Sequence, residues 1–155
     1  MIEISRILHP TDFSDSSMPA LQYASDFARR FNAELHLISV VDARAFTGTS
    51  SEPEFFPADF MEEYIKGVEK QLADLTFEGM NYCRMIVRYT LAGTPFVEII
   101  KYAGDNDIDM IIMGTHGRTG LGHLVIGSVA ENVVRKAPCP VLTVCPPSVL
   151  RGQRT

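Results

Sequence analysis

Cysteine and tryptophan are scarce in this chain, and their scarcity narrows the class of protein. Among 155 residues there are three cysteines, no tryptophan and no C-x-x-C pair. An odd number of cysteines without zinc-type spacing excludes a complete disulfide framework and a structural zinc site. It is typical of a reducing compartment. We therefore expect a cytoplasmic protein with one ordinary hydrophobic core.

Long apolar runs and an excess of positive charge are also missing. No run approaches the roughly 18 residues that a membrane-spanning helix needs. The first residues lack the basic and apolar segments of a secretory signal. The 14 Lys and Arg residues against 19 Asp and Glu residues give a net charge of −5. This charge argues against a nucleic-acid partner, but it leaves room for one small anion in a local site.

The chain does contain an alternation of strand-like and helix-like segments. Apolar runs predict strands at 6–9, 35–41, 85–91, 109–113 and 141–144. Helical spacing predicts helices at 16–32, at 61–75, from Thr94 and Pro95 onward, and at 128–137. This order predicts a single-domain α/β fold with an open parallel five-stranded sheet, helices on both faces and strand order 3-2-1-4-5. The loops that follow the first and fourth strands would then flank one crevice.

The segment from Met113 to Pro140 carries the strongest chemical signal. Glycines recur between an apolar strand and Ser128, which opens the last helix. Glycine lets backbone N–H groups approach a ligand closely, and a helix N-terminus offers unpaired donors and a positive dipole end. An anion site is one interpretation, and a flexible loop before a helix with a Ser128–Glu131 capping box is the other. The candidate residues are Met113, Gly114, Thr115, Gly117, Arg118, Gly127 and Ser128, of which Arg118 could face a phosphate.

Standard catalytic motifs fail in this segment. The Walker A spacing from Gly122 to Gly127 lacks its lysine, and the dinucleotide-binding fingerprint lacks its third glycine. His116 and His123 have no visible Ser/Asp partners for triad catalysis. We therefore assign no catalytic residue, and the missing lysine disfavours efficient NTPase chemistry.

An acidic turn follows the first strand. Pro10, Thr11 and Asp12 lie where ligands bind in open α/β sheets. Asp12 can accept hydrogen bonds from ribose hydroxyls or from an adenine amino group. The alternative is that Asp12 only orders the turn into the first helix.

These residues together resemble the universal stress protein family. The matching segments are 7–14 (Ile-Leu-His-Pro-Thr-Asp-Phe-Ser), 109–114 and 137–144, together with the G-x2-G-x9-G-S pattern that begins at Gly114. The match spans nearly the whole chain, as a domain over 1–146 followed by a polar tail over 147–155. Because each glycine and the serine of the pattern are present, the chain is similar to the ATP-binding branch, with an adenine-nucleotide α-hydrolase-like fold.

The resemblance implies a set of contacts. Pro10, Thr11 and Asp12 would touch the adenosine, and the Val40 backbone the adenine edge. The ribose and phosphates of ATP, ADP or AMP would be held by Gly114, Gly117, Gly127, Ser128 and Val129. A divalent ion, Mg²⁺ or Mn²⁺, would be held by the phosphates, with no protein side chain assigned to it.

The resemblance also implies a homodimer through the fifth strand (Val141, Leu142, Thr143 and Val144). The residues favour the same interface, because an apolar, uncharged edge strand invites pairing with another chain. Coverage of that edge by the tail is the alternative.

Three functions remain open at this point. The first is a homodimeric regulatory module of the stress response that binds an adenine nucleotide. The second is a slow ATPase or phosphotransferase that uses the same site, with His116, His123 or Arg118 assisting. The third is a nucleotide-free protein that contacts an unknown partner through loop 42–57, which contains Phe46, Phe55 and Phe56.

Overall fold

The computed structural model describes residues 2–42, 58–115 and 126–145. Strands and α-helices alternate along these ranges, as the sequence predicts, with most element ends within two residues of the expected positions. The elements are β1 (Arg6–Pro10), α1 (Met18–Phe31), β2 (Glu34–Val41), α2 (Ala58–Asp74), β3 (Met85–Ala92), α3 (Pro95–Asp105), β4 (Met110–Gly114), α4 (Ser128–Lys136) and β5 (Val141–Val144). A short 3-10 turn at Met80–Tyr82 was not predicted.

The five strands form one parallel sheet with the order β3-β2-β1-β4-β5. The predicted strand order is therefore confirmed. After β2 and β3 the chain crosses to the other side of β1, so β1 and β4 are neighbours. The carboxyl ends of these two strands diverge toward helices on opposite faces of the sheet, which opens a crevice between them.

Two apolar layers cover the two faces of the sheet. Ile7 and Ile112 belong to the layer formed with α1 and α2, together with Leu21 and Leu72. The adjacent residues Leu8 and Ile111 belong to the opposite layer, formed with α3 and α4. Since successive residues of a strand point to opposite faces, β1 and β4 must be apolar at consecutive positions. This requirement explains their short unbroken apolar runs.

The helices α1, α3 and α4 begin at the predicted residues or within two of them, but α4 lacks its predicted cap. Pro19 lies in the first turn of α1, and Thr94 and Pro95 are the N-cap and first residue of α3, as expected. In α4 the extended residue Gly127 (φ −59°, ψ 149°) occupies the N-cap, and Ser128 is the first helical residue. The predicted Ser128–Glu131 capping box is therefore wrong, because the serine lies one position too late to cap.

The acidic run after α3 joins β1 to β4. The helix ends at Asp105, and Asp107 adopts a left-handed conformation (φ 49°). Asp109 lies just before β4, where its Oδ2 accepts hydrogen bonds from the backbone N–H groups of Ser5 (2.7 Å) and Arg6 (2.9 Å). The run is thus a helix-ending turn that fixes the amino ends of both central strands.

Within the described ranges, no helix is both long and apolar enough to cross a membrane.

Candidate functional site

A cleft of about 130 Å³ opens at the carboxyl ends of β1 and β4. The sequence predicted that the turn after β1 and the segment after β4 would meet there. Among the described residues, the structure places the turn after β1, Thr115 and the first turn of α4 at this cleft. The predicted site residues that line it are Pro10, Thr11, Asp12, Val40, Met113, Gly114, Thr115 and Val129.

Other residues of the cleft wall were not predicted. Ile99 and Ala130, each about 3% exposed, come from α3 and α4, and Pro95 and Ser17 come from the first turns of α3 and α1. Helical spacing predicts only which residues of a helix are buried. Nothing in the sequence says that the core is incompletely filled at this point, so these positions could not be assigned to a site.

The acidic turn presents acceptor atoms to one end of the cleft. Asp12 Oδ1 accepts hydrogen bonds from Ser14 N (3.1 Å) and Ser14 Oγ (2.5 Å). The carboxylate is therefore held by its own turn, which was the simpler of the two predicted roles. Because Asp12 also lines the cleft, the same fixed carboxylate faces any ligand that enters.

The hydroxyl groups of Thr11 and Ser17 form hydrogen bonds in this turn, and the donor in each bond can be assigned. The Ser17 hydroxyl donates to Ser14 O (2.8 Å), and Thr11 Oγ1 accepts from Phe13 N (3.0 Å). The hydroxyls of Thr11 and Ser17 lie 3.3 Å apart, so the hydrogen between them must come from Thr11. The Thr11 hydroxyl is thus committed to the turn.

The first turn of α4 lines the cleft through Val129 and Ala130. Thr115 N donates to Val144 O (3.1 Å), and Gly127 N donates to Thr115 O (2.8 Å). The Gly127 amide is therefore already paired. In the described part of the chain no side chain caps α4, whose first-turn residues Ser128 and Val129 carry the N–H groups that an α-helix leaves unpaired. The positive end of the helix dipole points the same way.

Several predicted residues lie outside the described ranges. These are Gly117, Arg118, His116, His123, the aromatic residues of loop 42–57 (Phe46, Phe55 and Phe56) and the tail over 147–155.

Metal-binding side chains do not gather in the described residues. Across 2–42, 58–115 and 126–145 there is no group of three or more His, Cys, Asp or Glu side chains placed to hold an ion. The cleft itself offers one carboxylate, that of Asp12. An ion in this cleft would therefore depend on ligand atoms for most of its coordination.

A buried histidine lies on β1, immediately before the cleft residues. His9 is fully buried, and its Nδ1 lies 2.8 Å from Ile112 O, a carbonyl that can only accept. Nδ1 therefore bears the hydrogen, and Nε2 has no hydrogen-bond partner among the described residues. Burial lowers the pKa of His9 to about 4, so the ring is neutral at pH 7.

The cysteines give no sign of a reactive thiol in the cleft. Burial raises the pKa of the Cys139 thiol, which favours the unreactive protonated form. Cys83 and Cys145 are also free, and none of the three lines the cleft.

Comparison with known proteins gives a consistent answer. The model of the universal stress protein family matches residues 3–144. Universal stress protein MJ0531 of Methanocaldococcus jannaschii is 36% identical over 143 residues, which make up 92% of this chain and 82% of that protein. The solved structure of MJ0577, from the same organism, superimposes with a TM-score of 0.76 at 30% identity and covers 94% of this chain and 98% of that one.

A more distant structure shares the fold. The universal stress protein of Archaeoglobus fulgidus in complex with dAMP superimposes with a TM-score of 0.55 at 19% identity and covers 92% of this chain and 98% of that one. The family model spans nearly all of the chain, and the relatives match over most of their own length. The chain therefore belongs to the universal stress protein family.

Proposed function

We propose that this protein binds an adenine nucleotide, ATP in the first place, in the cleft between β1 and β4 and acts as a homodimeric regulatory module of the stress response in the cytoplasm. One observation carries the proposal: the acidic turn after β1 and the first turn of α4, which no described side chain caps, line a single cleft. No described residue of the cleft is arranged as a catalytic base, so the proposed role is binding.

The polarity of the cleft fits a nucleotide in one orientation. Asp12 accepts hydrogen bonds, so the ligand must offer donors there, as ribose hydroxyls and the adenine amino group do. The apolar wall that includes Val40, Ile99 and Met113 suits a flat base. At the far end, the amides of α4 suit phosphate oxygens, and each hydrogen bond to a charged group contributes about 1.5–3 kcal/mol.

Two further observations support an adenine nucleotide. The chain retains the glycines and the serine of the family's nucleotide-binding pattern at Gly114, Gly117, Gly127 and Ser128. The Archaeoglobus fulgidus protein, which has the same architecture, was solved with dAMP. Mg²⁺ or Mn²⁺ would accompany ATP, held mainly by the phosphates.

Titration calorimetry with Mg·ATP on a matched pair of variants tests the proposal. Val129→Glu places a carboxylate in the first turn of α4, where it suits the helix dipole but repels a polyphosphate in the cleft. Val134→Glu makes the same change on the same helix at a half-exposed position that does not line the cleft. We expect Val129→Glu to weaken ATP binding by about tenfold or more, and Val134→Glu to bind like the unaltered protein.

The possible outcomes test the proposed function and the proposed position of the binding site separately. If the unaltered protein binds no adenine nucleotide, the proposed function is wrong. If both variants bind ATP as tightly as the unaltered protein, the nucleotide lies elsewhere. Thermal unfolding of each variant shows whether a loss of binding merely reflects a loss of fold.

A further inference from the structure

We propose that Ser14, which does not line the cleft, is a positioning residue that sets how strictly the site discriminates among nucleosides, because it fixes the carboxylate of Asp12. This inference rests on the proposed function. It adds a residue that acts on the ligand only through another residue.

Ser14 makes two hydrogen bonds to one oxygen atom of Asp12. Both donors of Ser14, its backbone N–H and its hydroxyl, bond the same oxygen, Oδ1 of Asp12, at 3.1 and 2.5 Å. Two donors from one residue restrain the rotation of the carboxylate about χ1 and χ2. A hydrogen bond to a charged oxygen is also among the stronger kinds in proteins. The orientation of Asp12 is therefore set before any ligand arrives.

Ser14 is itself held by hydrogen bonds from Ser17. Its carbonyl oxygen accepts hydrogen bonds from Ser17 N (2.9 Å) and Ser17 Oγ (2.8 Å), and Ser17 is only 4% exposed. Between Asp12 and Ser14, Phe13 adopts a left-handed conformation (φ 61°) that a bulky side chain rarely takes. The surrounding bonds hold this strained turn in one shape, and α1 anchors it.

The Ser14 hydroxyl has a defined direction. Its hydrogen is committed to Asp12 Oδ1, so the contact with Ser16 Oγ at 2.9 Å must receive its hydrogen from Ser16. Ser14→Ala removes one of the two hydrogen bonds that Ser14 makes to Asp12 and leaves the one from its backbone N–H in place. The carboxylate then samples more orientations, and a ligand donor must order it on binding.

Selectivity is the property that reports this effect. Asp12 can bind either the ribose hydroxyls or the adenine amino group. The nucleotides to compare are ATP, 2′,3′-dideoxy-ATP, which lacks the hydroxyls, and purine riboside triphosphate, which lacks the amino group. In the unaltered protein, the analogue without the group that Asp12 binds loses affinity. We expect Ser14→Ala to weaken ATP binding by about tenfold. The ratio between the affinity for ATP and the affinity for that analogue should fall by a similar factor.

Calorimetry on three further proteins completes the test. Ser25→Ala is the control, since it removes a buried serine hydroxyl of α1 that contacts Glu78 O and Cys83 Sγ, neither of which lines the cleft. Asp12→Ala and the double variant Asp12→Ala/Ser14→Ala close a double-mutant cycle with Ser14→Ala. A positioning role predicts that Ser14→Ala changes ATP affinity less than about twofold once Asp12 is absent.

Each result leads to a distinct conclusion. Failure of the unaltered protein to bind any of the three nucleotides overturns the proposed function and this inference with it. Normal binding and unchanged selectivity in Ser14→Ala overturn the role of Ser14 alone. Additive effects of the two substitutions, or an equal loss in Ser25→Ala, would mean that Ser14 acts on the fold and not through Asp12.

Discussion

His9 shows how a single residue can make the fold sensitive to pH. Its ring is fully buried between the strand and the α1 layer, and the nearby charge of Asp12 only partly offsets the burial that lowers its pKa. In the unfolded chain the same side chain has a pKa near 6.5. Between about pH 6.5 and 4, the unfolded state therefore binds a proton that the native state does not.

We expect this difference to destabilise the protein as the pH falls. At pH 4.5 the His9 contribution to the free energy of unfolding is lower than at pH 7 by about 2–3 kcal/mol. His9→Asn keeps an N–H group near the position of Nδ1, toward Ile112 O, but does not titrate. Urea denaturation of both proteins at pH 7 and 4.5 measures the effect. A loss of stability as large in His9→Asn as in the unaltered protein would assign it to other groups.

The burial of His9 illustrates which residue-level facts the sequence contains. His9 lies two positions after Ile7 in a strand, so the alternation of faces places both in the same layer. Thr11 and Asp12 could be placed at the cleft for a different reason, because they follow the carboxyl end of a strand in an open α/β sheet. Neither argument reveals which side-chain atoms are paired, and so the bond from Ser14 to Asp12 was not predicted.

At the level of elements, the link between β1 and β4 depends on one carboxylate. Asp109 Oδ2 accepts two backbone hydrogen bonds at the amino end of β1, while Arg6 Nη1 donates to Asn106 O at 3.1 Å. The sequence placed Asp109 inside the fourth strand, whereas it precedes β4 and anchors it. Hydropathy identifies the strand well. It cannot tell whether a residue at the amino end is the first strand residue or precedes the strand and binds the neighbouring strand through its side chain.

Removing this carboxylate should loosen the two central strands. We expect Asp109→Ala to lower the free energy of unfolding by about 1.5 kcal/mol. Asp105→Ala, in the same acidic run but exposed at the end of α3, should change it by less than about 0.5 kcal/mol. Urea denaturation at neutral pH compares the two. Equal effects would show that the run contributes only through its net charge.

Helix starts show the limit of prediction at this scale. Pro95 identified the first residue of α3 because proline tolerates few other helical positions. Ser128 and Glu131 have the spacing of a capping box, yet α4 begins one residue earlier than that motif requires. The carbonyl of Thr115 holds Gly127 by its N–H, and this tertiary contact decides where the helix begins.

At the level of the whole molecule, the strand order followed from the alternation of elements, because parallel strands need crossover helices and few such topologies are common. The strand order in turn predicted a crevice between β1 and β4. It did not predict that Ile99 and Ala130 would line this crevice, because an unfilled space depends on the packing of several helices at once.

The edge of the sheet decides whether the molecule pairs with a copy of itself. In the sheet formed by the described residues, β5 is a terminal strand. Ile111 N donates to Pro140 O and Thr115 N donates to Val144 O, so the even-numbered residues of β5 direct their backbone groups toward β4. The backbone N–H of Thr143 then points to the open edge.

This geometry gives a sharp test of the proposed homodimer. Thr143→Pro removes an outward N–H without breaking the ladder to β4, whereas Thr143→Ala alters only the side chain. If two copies pair through β5, we expect Thr143→Pro to be monomeric and Thr143→Ala to remain dimeric in sedimentation velocity. A dimer that survives Thr143→Pro would place the interface on another surface.

The hydrogen bond from Gly127 to Thr115 has a consequence for how this protein can vary. It joins the two ends of the connection between β4 and α4, whose residues 116–125 lie outside the described ranges. With both ends joined, doubling the length of this connection would cost only about 0.6 kcal/mol of closure entropy. The connection can therefore change in length, and with it whatever the phosphates of the proposed nucleotide meet, while the start of α4 keeps its place.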